Sequence, residues 1–273
     1  MSVDTRILFT DLDGTLLDSE KKVTPGNQAA IDEALALGHK IVVCSGRPLA
    51  SSRVCAADAG LTKEGCYVIA FNGAQIYDPY HEKTVHENTF SRETAIYIVE
   101  EALKRNLHIH GYTDTEILTV KDTPEVRKYA EINKLPIKVV GDPTLMVPEE
   151  PHKLIAIDYD NKKKNDLFRE EVILPLASEV HSFFSNDWYQ EIVPAGVTKG
   201  TAIKWFCNWM NIPIENSVAA GDAANDIEML ETAYVGAVMC NAFPGIAEHG
   251  NYVTEKDNDH DGVAEIIRKF IIK

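Results

Sequence analysis

Ile7-Leu8-Phe9-Thr10-Asp11-Leu12-Asp13-Gly14-Thr15 decides how this chain is read: an apolar run of strand length ends on two carboxylates one residue apart. In extended backbone, residues i and i+2 project to the same side, so Asp11 and Asp13 can face one pocket while Leu12 turns away. Gly14 then lets the backbone leave sharply. Two acids held that close repel unless a cation lies between them or one keeps its proton. Either outcome serves chemistry. A hard, oxygen-rich site suits Mg²⁺, and a carboxylate beside a protonated neighbour can act as nucleophile beside acid. The plain alternative is an Asp-Gly turn from strand to helix.

The 273 residues are 45% apolar and 25% charged, which supports a globular chain with a sizeable core. With 27 basic against 42 acidic residues, the formal charge of -15 argues against nucleic acid or an anionic membrane as partner. Small anionic substrates stay open, because a metal, a lysine and helix N-termini can make a locally positive pocket in an acidic protein. Cys44, Cys55, Cys66, Cys207 and Cys240 form no Cys-x-x-Cys pair, so neither a disulfide framework nor a zinc site is expected and a reducing cytoplasm is the simplest setting. Met1-Ser2-Val3-Asp4 leads into the first strand without a leader signal, and no apolar run reaches membrane-spanning length.

Outward from Asp11 the chain alternates. Thr24-Pro25 opens a helical pattern that Gly38 closes, Lys40 to Cys44 is a second strand, Pro48 to Ala59 a helix, and Tyr67 to Phe71 a third strand before an Asn72-Gly73 turn. Strands separated by helices of this length imply a parallel sheet with right-handed crossovers. From Lys83 to Pro194 the texture changes to adjacent strand pairs, which predict an antiparallel sheet with helices on one face. After Pro194-Ala195-Gly196 the first texture returns. The expected fold class is therefore α/β: a doubly wound, Rossmann-like, mostly parallel core from residues 1–82 and 195–273, with an inserted α+β cap at 83–194.

Three further motifs sit at strand ends or helix starts. Ser45-Gly46-Arg47 follows the second strand and precedes a helix, where a hydroxyl, a bare amide and a helix N-terminus suit an anion. Gly221-Asp222-Ala223-Ala224-Asn225-Asp226 follows the strand Ser217 to Ala220, so Asp222 is a third strand-end carboxylate able to complete an oxygen set for Mg²⁺. Lys199 begins a helix, where a cation opposes the macrodipole and calls for a counter-charge.

In this order and frame, the motifs resemble those of the haloacid dehalogenase-like (HAD) superfamily, specifically its Cof-type sugar-phosphatase branch. Asp11-Leu12-Asp13-Gly14-Thr15, Ser45-Gly46-Arg47, Lys199-Gly200 and Gly221-Asp222-x-x-Asn225-Asp226-x-x-Met229 look like its four motifs, and the likeness spans the chain. Cys240 departs from it, standing where the family often has Gly before Asn-Ala. The resemblance implies Asp11 as nucleophile and Asp13 as general acid then base, with Thr15 fixing Asp13. It also implies Mg²⁺ on the Asp11 carboxylate, the Asp13 carbonyl and Asp222, and phosphoryl oxygens held by Ser45, Gly46, Lys199 and Asn225. The expected activity is phosphatase action on small phosphorylated metabolites, with the cap choosing among them. A phosphomutase sharing the aspartyl-phosphate is the enzymatic alternative, and a receiver-like signalling module or phosphosugar-binding protein the non-enzymatic one. The natural substrate is not coded in the sequence, and assembly into a homo-oligomer is left open.

Overall fold

A computed structural model describes residues 4–272; Met1-Ser2-Val3, read above as the lead-in to the first strand, and Lys273 lie outside the described residues. The elements run β1 (Ile7–Thr10), α1 (Pro25–Ala36), β2 (Lys40–Cys44), α2 (Leu49–Asp58), β3 (Cys66–Ala70), β4 (Gln75–Asp78) and β5 (Lys83–Glu87). Next come α3 (Arg92–Lys104), β6 (His108–Tyr112), β7 (Ile117–Thr119), α4 (Pro124–Asn133), β8 (Ile137–Val139), α5 (Pro143–Met146), β9 (Leu154–Ile157), α6 (Lys162–Phe168), β10 (Val180–Phe184) and β11 (Tyr189–Pro194). The chain closes with α7 (Lys199–Met210), β12 (Ser217–Gly221), α8 (Ile227–Thr232), β13 (Val235–Val238), β14 (Tyr252–Val253) and α9 (Gly262–Ile266). Two compact units result: the described parts of Met1–Gly46, Ser52–Val85 and Thr198–Lys273, and a second unit of Arg47–Ser51 and His86–Val197.

The first unit carries an eight-stranded sheet ordered β14-β13-β12-β1-β2-β3-β4-β5, parallel from β14 to β3. Only the β3 to β4 return is antiparallel among its paired inner strands, because Phe71, Asn72 and Gly73 all take left-handed backbone there. A side chain at position 73 would meet the Thr198 carbonyl at 2.4 Å, so glycine is required. Ile7, Leu8 and Phe9 are wholly buried, each stabilising the fold by about 1.5–3 kcal/mol. Ile7 and Phe9 pack with Ile203 and Phe206 of α7 and Met229 and Leu230 of α8. On its two sides β1 pairs with β2 and with β12, so the strand order reverses at β1, the position where open α/β sheets bind ligands.

The second unit has a six-stranded sheet ordered β10-β11-β9-β6-β7-β8, antiparallel except for β7 with β8. Alternation along β6 and β9 sends Ile109, Leu154 and Ala156 toward α3 and α6, and Ile155 and Ile157 toward Val126, Tyr129 and Ala130 of α4. Helices therefore cover both faces, a correction to the expectation of one. The cause is β6, whose second face carries His108 and His110, polar by composition yet buried under α4. The helix expected from Asn165 to Ala177 is present but changes its winding: α6 passes at Arg169 into a π-helical stretch to Ile173 and then into a 3-10 turn, Leu174–Leu176, that contains Pro175. Among the described residues no helix is long and apolar enough to cross a membrane, and the cysteines form no disulfide.

Candidate active site

Asp11 continues β1 past its last residue, its amide donating to the Ala220 carbonyl at 2.9 Å, so its carboxylate stands at the carboxyl edge of the sheet beside the end of β12. Lys199 is the first residue of α7. Thr198 caps that helix, accepting from the Thr201 amide at 3.1 Å while Thr201 Oγ1 accepts from the Thr198 amide at 2.9 Å. The cap contributes about 1 kcal/mol and offsets a cation at the wrong end of the helix dipole. The Lys199 ammonium is buried and donates to Asp11 Oδ1 and to Asp226 Oδ1, both at 2.6 Å.

Asp226 Oδ2 accepts the Asp222 amide at 3.0 Å and the Ala223 amide at 3.1 Å, folding the turn after β12 back on itself. Gly221 leaves room for this; a Cβ there would lie 2.6 Å from that of Asp226. Thr15 Oγ1 donates to Asp222 Oδ1 at 2.7 Å. Asp11, Asp222 and Asp226 each bring a carboxylate oxygen within 4.8 Å of the others, and Lys199 is the cation bound among them. Three acids against one ammonium leave a buried cluster short of positive charge.

That shortage shows in the ionisation. Burial, helped by the neighbouring Asp226 and Asp222 and opposed by Lys199, pushes the Asp11 carboxyl up to about 8. Burial also raises Asp222 to about 6, against the Thr15 hydrogen bond. Lys199 keeps its proton well above its ordinary range because Asp11 and Asp226 outweigh its burial. Asp226 has both oxygens engaged, whereas Asp11 Oδ2 and Asp222 Oδ2 accept no hydrogen bond among the described residues. A side chain at Gly14, where φ is +82°, would collide with Asp222 Oδ2 at 2.5 Å, so glycine there holds the two loops in contact.

The remaining sequence-derived residues lie around this cluster. Ser45 is buried at the end of β2, the strand beside β1; its amide bonds the Ile69 carbonyl at 2.8 Å and its carbonyl accepts the Asn72 amide at 3.0 Å. Gly46 lies against the Asn72 side chain, where a Cβ would come within 2.9 Å of Oδ1. Asn225 is half-buried in the turn Ala224–Asp226. Asp13 is half-buried, and Lys21 Nζ donates to its Oδ1 at 2.7 Å. Thr15, expected to fix Asp13, bonds Asp222 instead, since the Gly14 turn swings it toward β12. The exposed Cys240 leaves its loop intact: its amide bonds Thr254 Oγ1 at 3.0 Å, and Asn241 holds the Gly14 carbonyl at 2.8 Å.

Asp226 was legible as part of a motif but given no role from sequence. Its signal is Gly221, a strand-ending glycine that leaves a side-chain-sized space beside a buried acid.

Fold and cluster together define a doubly wound α/β enzyme with a carboxylate site at its switch point. The chain matches the haloacid dehalogenase-like hydrolase family over residues 8–267. It is 28% identical over 277 residues to the Bacillus subtilis protein YxeH, covering 98% of each. It is likewise 28% identical over 275 residues to YcsE of the same organism, a 5-amino-6-(5-phospho-D-ribitylamino)uracil phosphatase, covering 99% of this chain and 97% of that one. A haloacid dehalogenase-like hydrolase from Bacteroides thetaiotaomicron superposes with a TM-score of 0.88 at 27% identity, covering 97% of this chain and 99% of the other. The chain belongs to the haloacid dehalogenase-like hydrolase family, and is an enzyme of its phosphatase kind.

Proposed function

We propose that the protein is a Mg²⁺-dependent phosphatase of small phosphorylated metabolites, sugar phosphates foremost, acting through an aspartyl-phosphate on Asp11. The observation that carries this reading is the buried surplus of carboxylates: three acids within 4.8 Å of one another around one ammonium. The donor set fits the ion. Its atoms are hard oxygens, two of them without a hydrogen bond among the described residues, and a carboxyl held at about 8 calls for a second cation to ionise it at neutral pH. Asp11, Asp222 and the Asp13 carbonyl would hold the metal, with Asp226 behind them keeping Lys199 and the turn in position. Bound there, Mg²⁺ would neutralise charge on the phosphoryl group.

The chain's own residues do the rest. Lys199 orients the Asp11 carboxylate, which attacks phosphorus in line with the departing oxygen. Asp13 gives a proton to the leaving alcohol as its bond to phosphorus breaks, then takes one from the water that cleaves the Asp11 acyl phosphate. Ser45, the Gly46 amide and Asn225 donate to the non-bridging oxygens as charge shifts. These groups recognise only the phosphoryl end, so choice of alcohol falls to the inserted segment 83–194, whose role as a selectivity cap belongs to the same proposal. The relative YcsE acts, by its name, on a phosphate carried by a ribityl chain, which supports sugar-type alcohols.

The test is phosphate release from a panel of phosphorylated metabolites with and without Mg²⁺, using wild type beside Asp13→Asn. Release that needs the metal and collapses in the variant is expected; undiminished hydrolysis in chelator would sink the mechanism.

A further inference from the structure

We infer that Lys21 is a positioning residue for Asp13, an inference that rests on Asp13 being the proton carrier proposed above. The segment after Gly14 is a hairpin built to aim this lysine. Leu17 bridges to Asp13 on one side and to Val23 on the other. Asp18 closes the tip: its amide donates to the Lys22 carbonyl at 2.8 Å, and its Oδ1 accepts the amides of Glu20 and Lys22, each at 2.9 Å. Lys21 sits in this tip with φ +64°, a left-handed backbone that a glycine would adopt without strain. A long side chain kept in that conformation points to a use for the side chain.

The hairpin is also clamped from outside. The Ser19 amide and hydroxyl donate to the two carboxylate oxygens of Asp259, each at 2.7 Å. Asn258 Nδ2 donates to the Leu17 carbonyl at 2.9 Å, and Thr24 Oγ1 to Asp261 at 2.6 Å. With its backbone fixed at both ends, Lys21 delivers its ammonium to Asp13 Oδ1 at 2.7 Å. A half-buried carboxylate at a strand end has several rotamers, and this contact favours the one observed. Lys21 transfers no proton; the proton passes from Asp13 to the leaving oxygen as before.

The experiment compares two esters that the wild-type enzyme hydrolyses: an alkyl phosphate from the metabolite panel, and p-nitrophenyl phosphate, whose phenolate leaves without protonation. Lys21→Met is expected to lower kcat/KM on the alkyl ester about threefold to fivefold, within what an exposed ion pair can hold. The kcat/KM for p-nitrophenyl phosphate, which ends at phenolate departure and so omits the later water step in which Asp13 acts as base, stays unchanged, and Lys21→Arg restores the alkyl value. Asp259→Ala, remote from Asp13, gives the same leaving-group signature at smaller size. An equal loss of kcat/KM on both esters, or no change of it on either, would overturn the assignment. Asp11→Asn run in parallel separates the two proposals: if it retains turnover, the mechanism itself falls, whereas an inactive Asp11→Asn beside an unaffected Lys21→Met removes only the role of Lys21.

Discussion

Lys199 and Lys153 are both 1% exposed and both bonded to carboxylates, yet they serve opposite ends. In the second unit Lys153 faces Glu191 at 2.9 Å, one cation to one buried anion, beside the Tyr112 and Tyr129 rings of the α4-covered face. Within that pair the charges balance, and the lysine is held protonated by Glu191 and Tyr129 against burial. In the first unit Lys199 meets two carboxylates with a third close by. A balanced buried pair leaves nothing for a ligand to do. An unbalanced one leaves a standing demand for positive charge, and it is the imbalance, not the burial, that marks the functional region.

The largest effect should come from breaking the unbalanced site. Asp11→Asn is expected to lower turnover on the order of 10³-fold or more. It should leave the metal-free melting temperature equal or higher, because the amide cannot ionise at a site where burial disfavours the carboxylate. A destabilised variant would mean that the cluster holds the fold together. Next, Lys153→Met strands Glu191 in the interior and should destabilise the protein by about 3–5 kcal/mol in chemical denaturation. Adding Glu191→Leu should recover most of that loss, and failure to recover would show the pair to be something other than a closed structural unit.

The smallest effect is a pH dependence. Asp11 at about 8 and Asp222 at about 6 both lie above the ordinary carboxylate value near 3.8. Groups raised on folding contribute stability that is complete below the unfolded value and is lost as pH rises toward the folded one. The metal-free protein should therefore lose stability from these groups between about pH 4 and 8, where a bound cation offsets the loss. Differential scanning should find Mg²⁺ raising the melting temperature by a few degrees more at pH 8.5 than at pH 5.5; the reverse order would contradict surplus charge as the cause.

The same contrast explains what could be read in advance. Asp11, Asp13 and Asp222 announce themselves because each follows an apolar strand of few residues, and strand ends are where backbone geometry alone fixes a side chain's direction. Lys199 is legible for the same reason, as the first residue after a Thr cap. Thr15 and Asp226 depend on how two distant loops fold against each other, through Gly14 and Gly221, and no local pattern encodes that approach. His108 and His110 alternate as an exposed polar face would, but α4 arrives from the same unit and covers them. The rings then bond one another at 2.9 Å, and His108 is pushed down to about 4 by burial. The pairing of Lys153 with Glu191 likewise joins β9 to β11 across a register that only the folded sheet supplies.

One consequence of the strand order concerns synthesis. The strand β1 that leads to Asp11 is made first, yet its partner β12, the Asp222 turn and Lys199 come from the last third of the chain. The stretch His86–Val197, which with Arg47–Ser51 makes up the second compact unit, emerges in between. A nascent chain thus holds Asp11 without Lys199, Asp222 and Asp226 until residue 226 has been made. A chain that ends before Asp226 lacks part of the carboxylate cluster, whatever it has folded by then.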